Sequence, residues 1–206
     1  SARDIGSGLG GGGVVLGRAG RLGRRIYDNL RKAVSFILAV HVPIAGLALM
    51  PLLFGMPILF GPVHIAFLEM VIDPVCSLVF EAEAEEDGVM ARPPRPPAEP
   101  LFSGPTVLWS LLQGALVLAV TATIFALAPG YGLSDEQVRG LTFTTLVLGI
   151  VALLFVNRSL GASVVIALRR PNRALAVVLP VVAGLLAIDL FWQPARELFG
   201  FAALEA

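Results

Sequence analysis

The sequence predicts an all-α protein, a polytopic bundle of about five transmembrane helices. Hydrophobic residues make up 56% of the chain, charged residues 15%, and the mean hydropathy is +0.84. Soluble domains carry about 25% charged residues. The apolar residues fall in segments of about 20, the length an α-helix needs to cross the hydrocarbon core of a bilayer. The strands of membrane barrels are shorter and alternate in polarity, so a β-barrel does not fit these segments.

Five segments meet the length requirement. They are apolar around most of their circumference, which suits helices inside a membrane bundle and does not suit amphipathic helices lying on its surface. The predicted spans are residues 33–54, 63–80, 106–128, 140–157 and 173–192.

The spans form one predicted transmembrane domain, residues 23–200. Residues 1–22 include the glycine-rich stretch 8–13 and are predicted to be a flexible segment, and residues 201–206 are a short tail. The glycine-rich stretch does not join a strand to a helix, as a phosphate-binding loop requires. Cys76 is the only cysteine, so a disulfide within the chain is excluded.

The basic residues orient the bundle. Among the 15 Lys and Arg residues, only Arg139 and Arg196 fall on the opposite side from the rest. Because basic loops stay in the cytoplasm, we expect the N-terminus and the 81–104 and 158–173 loops to be cytoplasmic. Five spans then place the C-terminus outside.

The first cytoplasmic loop carries an acidic stretch, residues 81–87, followed by Arg92-Pro-Pro-Arg-Pro-Pro97. Proline runs favour the extended polyproline II conformation and end helices. We therefore predict a stiff spacer here, and a ligand for an SH3-type domain is the alternative.

Two acids stand out inside the second span. Glu69 and Asp73 are four residues apart, so they share one face of a helix. Two carboxylates this close in lipid take up a proton or hold a cation between them, and hard cations prefer oxygen ligands. Pro74 lacks an N–H, which leaves the carbonyl of Met70 without its helical partner. The pattern predicts a cation site; structural hydrogen bonds between helices are the alternative.

The first span offers a similar arrangement. Pro43 frees the carbonyl of Ala39, next to His41. His41 is a candidate cation ligand, proton acceptor or counter-charge to the two acids, and a buried polar residue is the alternative. The predicted metal site is therefore Glu69, Asp73 and His41, with the carbonyls of Ala39 and Met70. No catalytic and no cofactor-binding residue is predicted.

Three other polar residues receive a structural interpretation. His64 lies near the outer end of the second span and is predicted to be interfacial. Asn157 and Asp189 lie near the ends of their spans, where solvated or helix-capping roles are expected.

Three motifs occur in order along the first half of the chain. They are Gly23-Arg-Arg-Ile-Tyr-Asp-Asn-Leu-Arg-Lys32, Pro62-Val-His-Ile-Ala-Phe-Leu-Glu-Met-Val-Ile-Asp73 and Asp87-Gly-Val-Met-Ala-Arg-Pro-Pro-Arg-Pro-Pro-Ala-Glu-Pro-Leu101. Together they resemble the C-terminal membrane half, helices five to nine, of cation-transporting P-type ATPases. The Leu-Glu-x-x-Ile-Asp-Pro form resembles a bacterial branch of that family.

The resemblance implies roles for the acids. By position, Glu69 and Asp73 match ligands on the broken sixth helix, while His41 and Ile44 stand where calcium pumps have fifth-helix ligands. The calcium-pump pattern is only half kept, so the cation is not assigned. The resemblance implies the ion-binding module of an ATP-driven pump in a bacterial plasma membrane, whose fifth helix transmits movement from the phosphorylation domain.

The chain lacks the phosphorylation, actuator and hinge motifs of that family. We therefore expect a fragment that does not hydrolyse ATP alone, with ATP and Mg²⁺ acting only through missing domains. Its expected partners are the lipid bilayer, the cation and those domains or a full-length pump, with no nucleic acid. Two alternatives stay open: a passive channel or secondary cation/proton transporter, and a regulatory module without transport.

Overall fold

The computed structural model describes residues 2–86, 88–91, 93, 103–158 and 170–202, with only the backbone for residues 2–13. All regular elements in these ranges are helices, and five are long and apolar enough to cross a membrane. The predicted helical membrane bundle is confirmed. The helices are α1 (Ala2–Phe54), α2 (Pro62–Pro74), α3 (Gly104–Leu127), α4 (Asp135–Asn157), α5 (Arg173–Phe191) and α6 (Gln193–Phe199). A π-helical turn, Val75–Val79, continues α2, and a 3₁₀ turn, Ala128–Tyr131, ends α3.

Helix α1 begins well before the predicted span at residue 33. Its helical backbone begins at Ala2. The flexibility expected for residues 1–22 stays a prediction. Contacts far along the chain hold the polar part of this helix. Arg24 donates a hydrogen bond to the carbonyl of Val89 (2.7 Å), and Asn29 donates one to the carbonyl of Glu83 (2.9 Å). The predicted span began at residue 33 because the basic and polar residues 18–32 interrupt the apolar pattern.

Side-chain caps start three of the helices. The side chains of Ser103, Ser134 and Asn172 each accept a hydrogen bond from a backbone N–H in the first turn of α3, α4 and α5. Such caps satisfy N–H groups that have no partner within the helix. Gly55, at φ +65°, ends α1 in the left-handed region that glycine tolerates best.

Glycines allow α1, α3 and α4 to pack closely. Gly114 of α3 lies directly against the carbonyl oxygen of Ala39 and the side chain of Val42 in α1. Gly46 of α1 lies under Leu118 of α3, and Gly149 of α4 lies under Val117 of α3. Small residues at such positions let helix backbones approach each other, as in other membrane bundles.

An aromatic cluster closes one end of the bundle, which we call the outer end. His64 is 5% exposed, and its ring centroid lies 5.2 Å from those of Phe143 and Phe199 and 5.5 Å from that of Phe201. The ring of His64 is covered because α6 and the chain after it fold back over it, and its interfacial depth stays a prediction. Phe201, assigned to the tail, is 6% exposed and belongs to this cluster. Residues 203–206 lie outside the described residues.

Candidate functional site

The two acids of the second span lie on α2, one turn apart, and both side chains are exposed. Their neighbours Leu68 and Ile72 are buried in the core, at 1% and 3% exposure. The acids therefore occupy the side of α2 that faces away from the other helices. Among the described residues, neither carboxylate has an ion pair or hydrogen bond.

The helix changes its hydrogen-bonding pattern just after the second acid. Pro74 ends the α-helical part, and the next residues form the π turn, in which the N–H of Phe80 donates to the carbonyl of Val75 (3.2 Å). The hydroxyl of Ser77 donates to the carbonyl of Asp73 at 2.7 Å. We predicted that Pro74 disturbs this turn, and the chain continues there as a widened helix rather than unwinding. Single π turns of this kind are frequent at functional sites.

The third predicted ligand, His41, is exposed on α1. Its Nδ1 donates to the carbonyl of Ile37, one turn earlier, at 2.7 Å. The carbonyl of Ala39 lies against Gly114 of α3. No contact joins His41 to Glu69 or Asp73 among the described residues. The structure thus brings the two acids together on one helix, and the ligand roles of His41 and of the Ala39 and Met70 carbonyls stay predictions.

A groove runs beside the π turn toward the end of the bundle where α3 begins. We call this the basic end. The groove has a volume of about 440 Å³ and lies between α1 and the π turn. Its lining includes Arg25, Asn29, Cys76, Ser77 and Glu81 along with apolar residues. Because Ser77 is bonded to the Asp73 carbonyl, the groove reaches the turn that carries the second acid.

The described residues contain no group of three or more His, Cys, Asp or Glu side chains arranged to hold a metal ion. Calcium takes six to eight oxygen ligands, and magnesium six. The two carboxylates and the predicted Met70 carbonyl would supply only part of such a set. A complete site needs further oxygen ligands from water or from another polypeptide segment.

The basic end contains a buried ionic network that the sequence did not predict. Glu83 and Arg158 are both fully buried, and Nε and an NH2 nitrogen of Arg158 donate to the two carboxylate oxygens at 3.0 and 3.3 Å. Asn172 donates to the same carboxylate at 2.9 Å and to the carbonyl of Val79 at 2.9 Å. Arg25 of α1 donates to the Glu83 carbonyl at 3.1 Å. This network joins α1, α4 and α5 to the chain that follows the π turn.

A second ion pair lies beside the first. The ammonium of Lys32 is 2.6 Å from one carboxylate oxygen of Glu86, and a guanidinium nitrogen of Arg170 is 2.9 Å from the other. Burial opposes ionisation of Glu86, but the hydrogen bond and charge of Lys32, followed by those of Arg170, outweigh it. The pKa of the Glu86 carboxyl is therefore held below its usual value.

These contacts belong to the acidic stretch before the proline run, for which the stiff spacer stays a prediction. Glu83 and Glu86 of the acidic stretch are buried and paired, while Glu81 stays exposed. Asp87 and most of the proline run, residues 92 and 94–97, lie outside the described residues. The acidic stretch and the arginines at the end of the fourth span were visible in the sequence. The pairing joins residues 75 positions apart, so spacing alone did not reveal it.

The expected exposure to solvent is wrong for two further residues. Asn157 is 7% exposed, and its amide donates to Gln113 of α3 at 2.7 Å, so it ties two spans together instead of facing solvent. Asp189 is 6% exposed, and its Oδ2 has no hydrogen-bond partner among the described residues. Both lie near a helix end, as expected, but neighbouring helices cover them.

Residues 57–206 match the family model described as "Cation transporting ATPase, C-terminus". The matched region begins after α1 and includes Glu69 and Asp73.

Individual relatives agree with this match. The chain is 27% identical to the "Calcium-transporting ATPase" of Bacillus subtilis over 187 residues, which is 88% of this chain and 20% of that protein. It is 31% identical over 127 residues to the "Probable cation-transporting ATPase F" of Mycobacterium bovis, covering 61% of this chain and 14% of that protein. It is 35% identical over 75 residues to the "Sodium/potassium-transporting ATPase subunit alpha" of Hydra vulgaris, covering 36% of this chain and 7% of that protein. The chain spans a fifth or less of the length of these relatives.

Proposed function

We propose that this chain, which belongs to the family of cation-transporting ATPase C-terminal domains, supplies the ion-binding part of the membrane domain of an ATP-driven cation pump. The family membership confirms the resemblance inferred from the three sequence motifs. It also agrees with the five apolar helices of a multi-pass membrane protein. ATP and Mg²⁺ would act through other domains of the pump.

The observation that carries the proposal is the position of the two acids. Glu69 and Asp73 lie within the matched region, inside a candidate span, on the side of α2 that the other described residues leave uncovered. Acids at membrane depth face a bundle interior or a water-filled path and mark ion pathways. A cation held between them would offset their repulsion and meet oxygen ligands.

The contacts of α1 suggest how movement would reach the site. Arg25 and Asn29 of α1 both donate to the carbonyl of Glu83, four residues beyond the π turn. In this proposal, a displacement of the polar part of α1 pulls on that segment and on the π turn that follows Asp73. The groove between the two elements would then open or close a route from the basic end to the acids.

The proposed cation is divalent, and calcium is the first candidate. Two carboxylates match two positive charges, and the relatives include a calcium-transporting ATPase. The basic end is proposed to face the cytoplasm of a bacterial cell, since it carries nearly all of the Lys and Arg residues.

The test is binding of radioactive Ca²⁺ to the chain reconstituted in phosphatidylcholine vesicles. We expect Asp73→Asn and Glu69→Gln to lose binding, because each removes a charged ligand. Glu136→Gln removes an exposed acid outside the site and should bind as the unmodified chain does. Equal binding by Asp73→Asn and the unmodified chain would contradict the site. Nucleotide-independent Ca²⁺ flux through these vesicles would favour a passive channel instead.

A further inference from the structure

A second cavity lies at the basic end, on the side of the bundle formed by α1, α3 and α4. Its volume is about 240 Å³. Its lining is mostly polar or charged and includes Arg31, Lys32, Ser35, Thr106, Gln113 and Asn157. Trp109 and Val156 form an apolar part of the wall. The proposed cation site on α2 uses none of these residues.

The polar groups of this cavity are held in place by the fold. Lys32, Ser35 and Asn157 are 0%, 7% and 7% exposed. The amide of Asn157 is fixed by its hydrogen bonds to Gln113 (2.7 Å) and to the carbonyl of Leu153 (2.9 Å). The Ser35 hydroxyl lines the cavity and has no hydrogen bond within the described part of the chain. This hydroxyl is therefore available to donate to a molecule that occupies the cavity.

The cavity is also positively charged. One guanidinium nitrogen of Arg31 donates to the hydroxyl of Thr106 at 2.7 Å, which fixes the side chain at the cavity wall. Arg31 has no carboxylate partner among the described residues, whereas Lys32 is paired with Glu86 at 2.6 Å. Within the described part of the chain, no carboxylate balances the charge of Arg31. Its planar set of N–H donors suits the oxygens of a phosphate.

The exposed aromatic residues of α3 place this cavity at the membrane surface. Trp109 and Tyr131 are 61% and 84% exposed, at opposite ends of the same span. At a rise of about 1.5 Å per residue they lie roughly 33 Å apart, close to the ~30 Å thickness of a bilayer core. Trp and Tyr concentrate at the two membrane surfaces. Trp109 and the cavity beside it therefore lie at the depth of the lipid headgroups.

We propose that this cavity binds a phosphate group, with Arg31 and Ser35 as donors and Trp109 beside the apolar part of the ligand. A phosphodiester of an anionic lipid headgroup and free inorganic phosphate share this chemistry. The depth of the cavity and the Trp109 wall favour the lipid. The site is independent of the proposed cation site.

The two tryptophans allow a direct test. The chain has only Trp109 and Trp192, and they lie at opposite ends of the bundle. In the Trp192→Phe variant, all tryptophan emission comes from Trp109. This variant is reconstituted in phosphatidylcholine vesicles that contain a small, fixed fraction of tail-brominated lipid, either phosphatidylglycerol or phosphatidylcholine. We expect brominated phosphatidylglycerol to quench Trp109 about fivefold more effectively, given about 1 kcal/mol per basic residue near an anionic surface. In the matched Trp109→Phe variant, Trp192 should show no such preference.

Two substitutions in the Trp192→Phe background identify the donors. Arg31→Gln should abolish the preference for brominated phosphatidylglycerol, and Ser35→Ala should reduce it. Arg173→Gln removes an exposed arginine at the same end of the bundle and should leave the preference unchanged. Having two substitutions keeps the test valid if one of them impairs folding.

Inorganic phosphate separates the two sources. It is titrated against chloride at equal ionic strength, with the same vesicles. If the preference for brominated phosphatidylglycerol is unchanged by inorganic phosphate, the ligand is the lipid headgroup. A phosphate-dependent change in Trp109 emission that requires Arg31, without lipid preference, identifies free phosphate. The proposal is overturned if Trp109 shows neither response, or if Arg31→Gln and Arg173→Gln behave alike.

Discussion

Glu83 gives the sharpest test of the packing at the basic end. Its carboxylate accepts two hydrogen bonds from Arg158 and one from Asn172, and both members of the ion pair are fully buried. Removing one partner of a buried pair leaves an uncompensated charge and costs about 3–5 kcal/mol. Glu83→Gln retains one acceptor oxygen for Arg158, so we expect a loss of about 3 kcal/mol in the free energy of unfolding. Glu83→Ala retains none, and we expect about 5 kcal/mol.

The assay is equilibrium unfolding in mixed detergent micelles, followed by the loss of helical circular dichroism. Glu85→Gln is the matched control, because Glu85 belongs to the same acidic stretch but forms a longer, exposed pair with Arg21 at 3.4 Å. Exposed pairs contribute at most about 1 kcal/mol. Replacing both Glu83 and Arg158 with apolar residues should recover most of the loss, since no charge then stays buried. If Glu83→Gln costs no more than Glu85→Gln, the pair does not stabilise this fold as argued.

Three further predictions use the same unfolding assay. Gly114→Ala should lower the free energy of unfolding by about 1–3 kcal/mol, because the new methyl group would meet the Ala39 carbonyl. Gly184 has open space around it, so the control Gly184→Ala should not destabilise the protein. Equal effects of the two substitutions would contradict the close packing at Gly114. The pKa of Glu86 is lower in the folded chain than its ordinary value of 4.5. Its ionised carboxylate should therefore stabilise the fold fully at pH values above 4.5, and this stabilisation should be lost as the pH falls through the lower pKa of the folded state. A Glu86→Gln variant should lack that acid-dependent part, and identical pH profiles would refute the assignment. Phe201→Ala should lower the free energy of unfolding by about 3–5 kcal/mol, since the ring is buried in the outer aromatic cluster. A loss below 1 kcal/mol would show that Phe201 does not contribute to this cluster.

The membrane helices were predictable because one physical requirement dominates them. A helix that crosses a bilayer must be apolar over about 20 residues, and that property is visible without knowledge of any contact. The beginning of α1 was not predictable in this way. Its polar residues 18–32 are held by partners such as the carbonyls of Glu83 and Val89, more than 50 positions along the chain.

The site residues show the same division. The shared face of Glu69 and Asp73 follows from helical geometry, because residues four apart lie one turn above each other. The burial of His64 does not, since it depends on Phe199 and Phe201 folding back from the end of the chain. The pairing of Glu83 with Arg158 depends on which helices are neighbours, and local composition carries no information about that.

The acidic residues at the basic end have cationic partners, whereas the two acids of the second span do not among the described residues. At the basic end, outside the apolar spans, Glu83 and Glu86 are buried and paired with Arg158, Lys32 and Arg170. Inside a span, where an unpaired charge costs most, Glu69 and Asp73 have no cationic partner among the described residues. Basic residues were available, since the chain has as many Lys and Arg as Asp and Glu. Asp189 is a third acid in a span whose Oδ2 has no hydrogen-bond partner among these residues, but it is buried, whereas Glu69 and Asp73 are exposed on one side of α2. We propose that those two acids are left for a charge that comes from elsewhere. A transported cation meets that description better than a fixed side chain does.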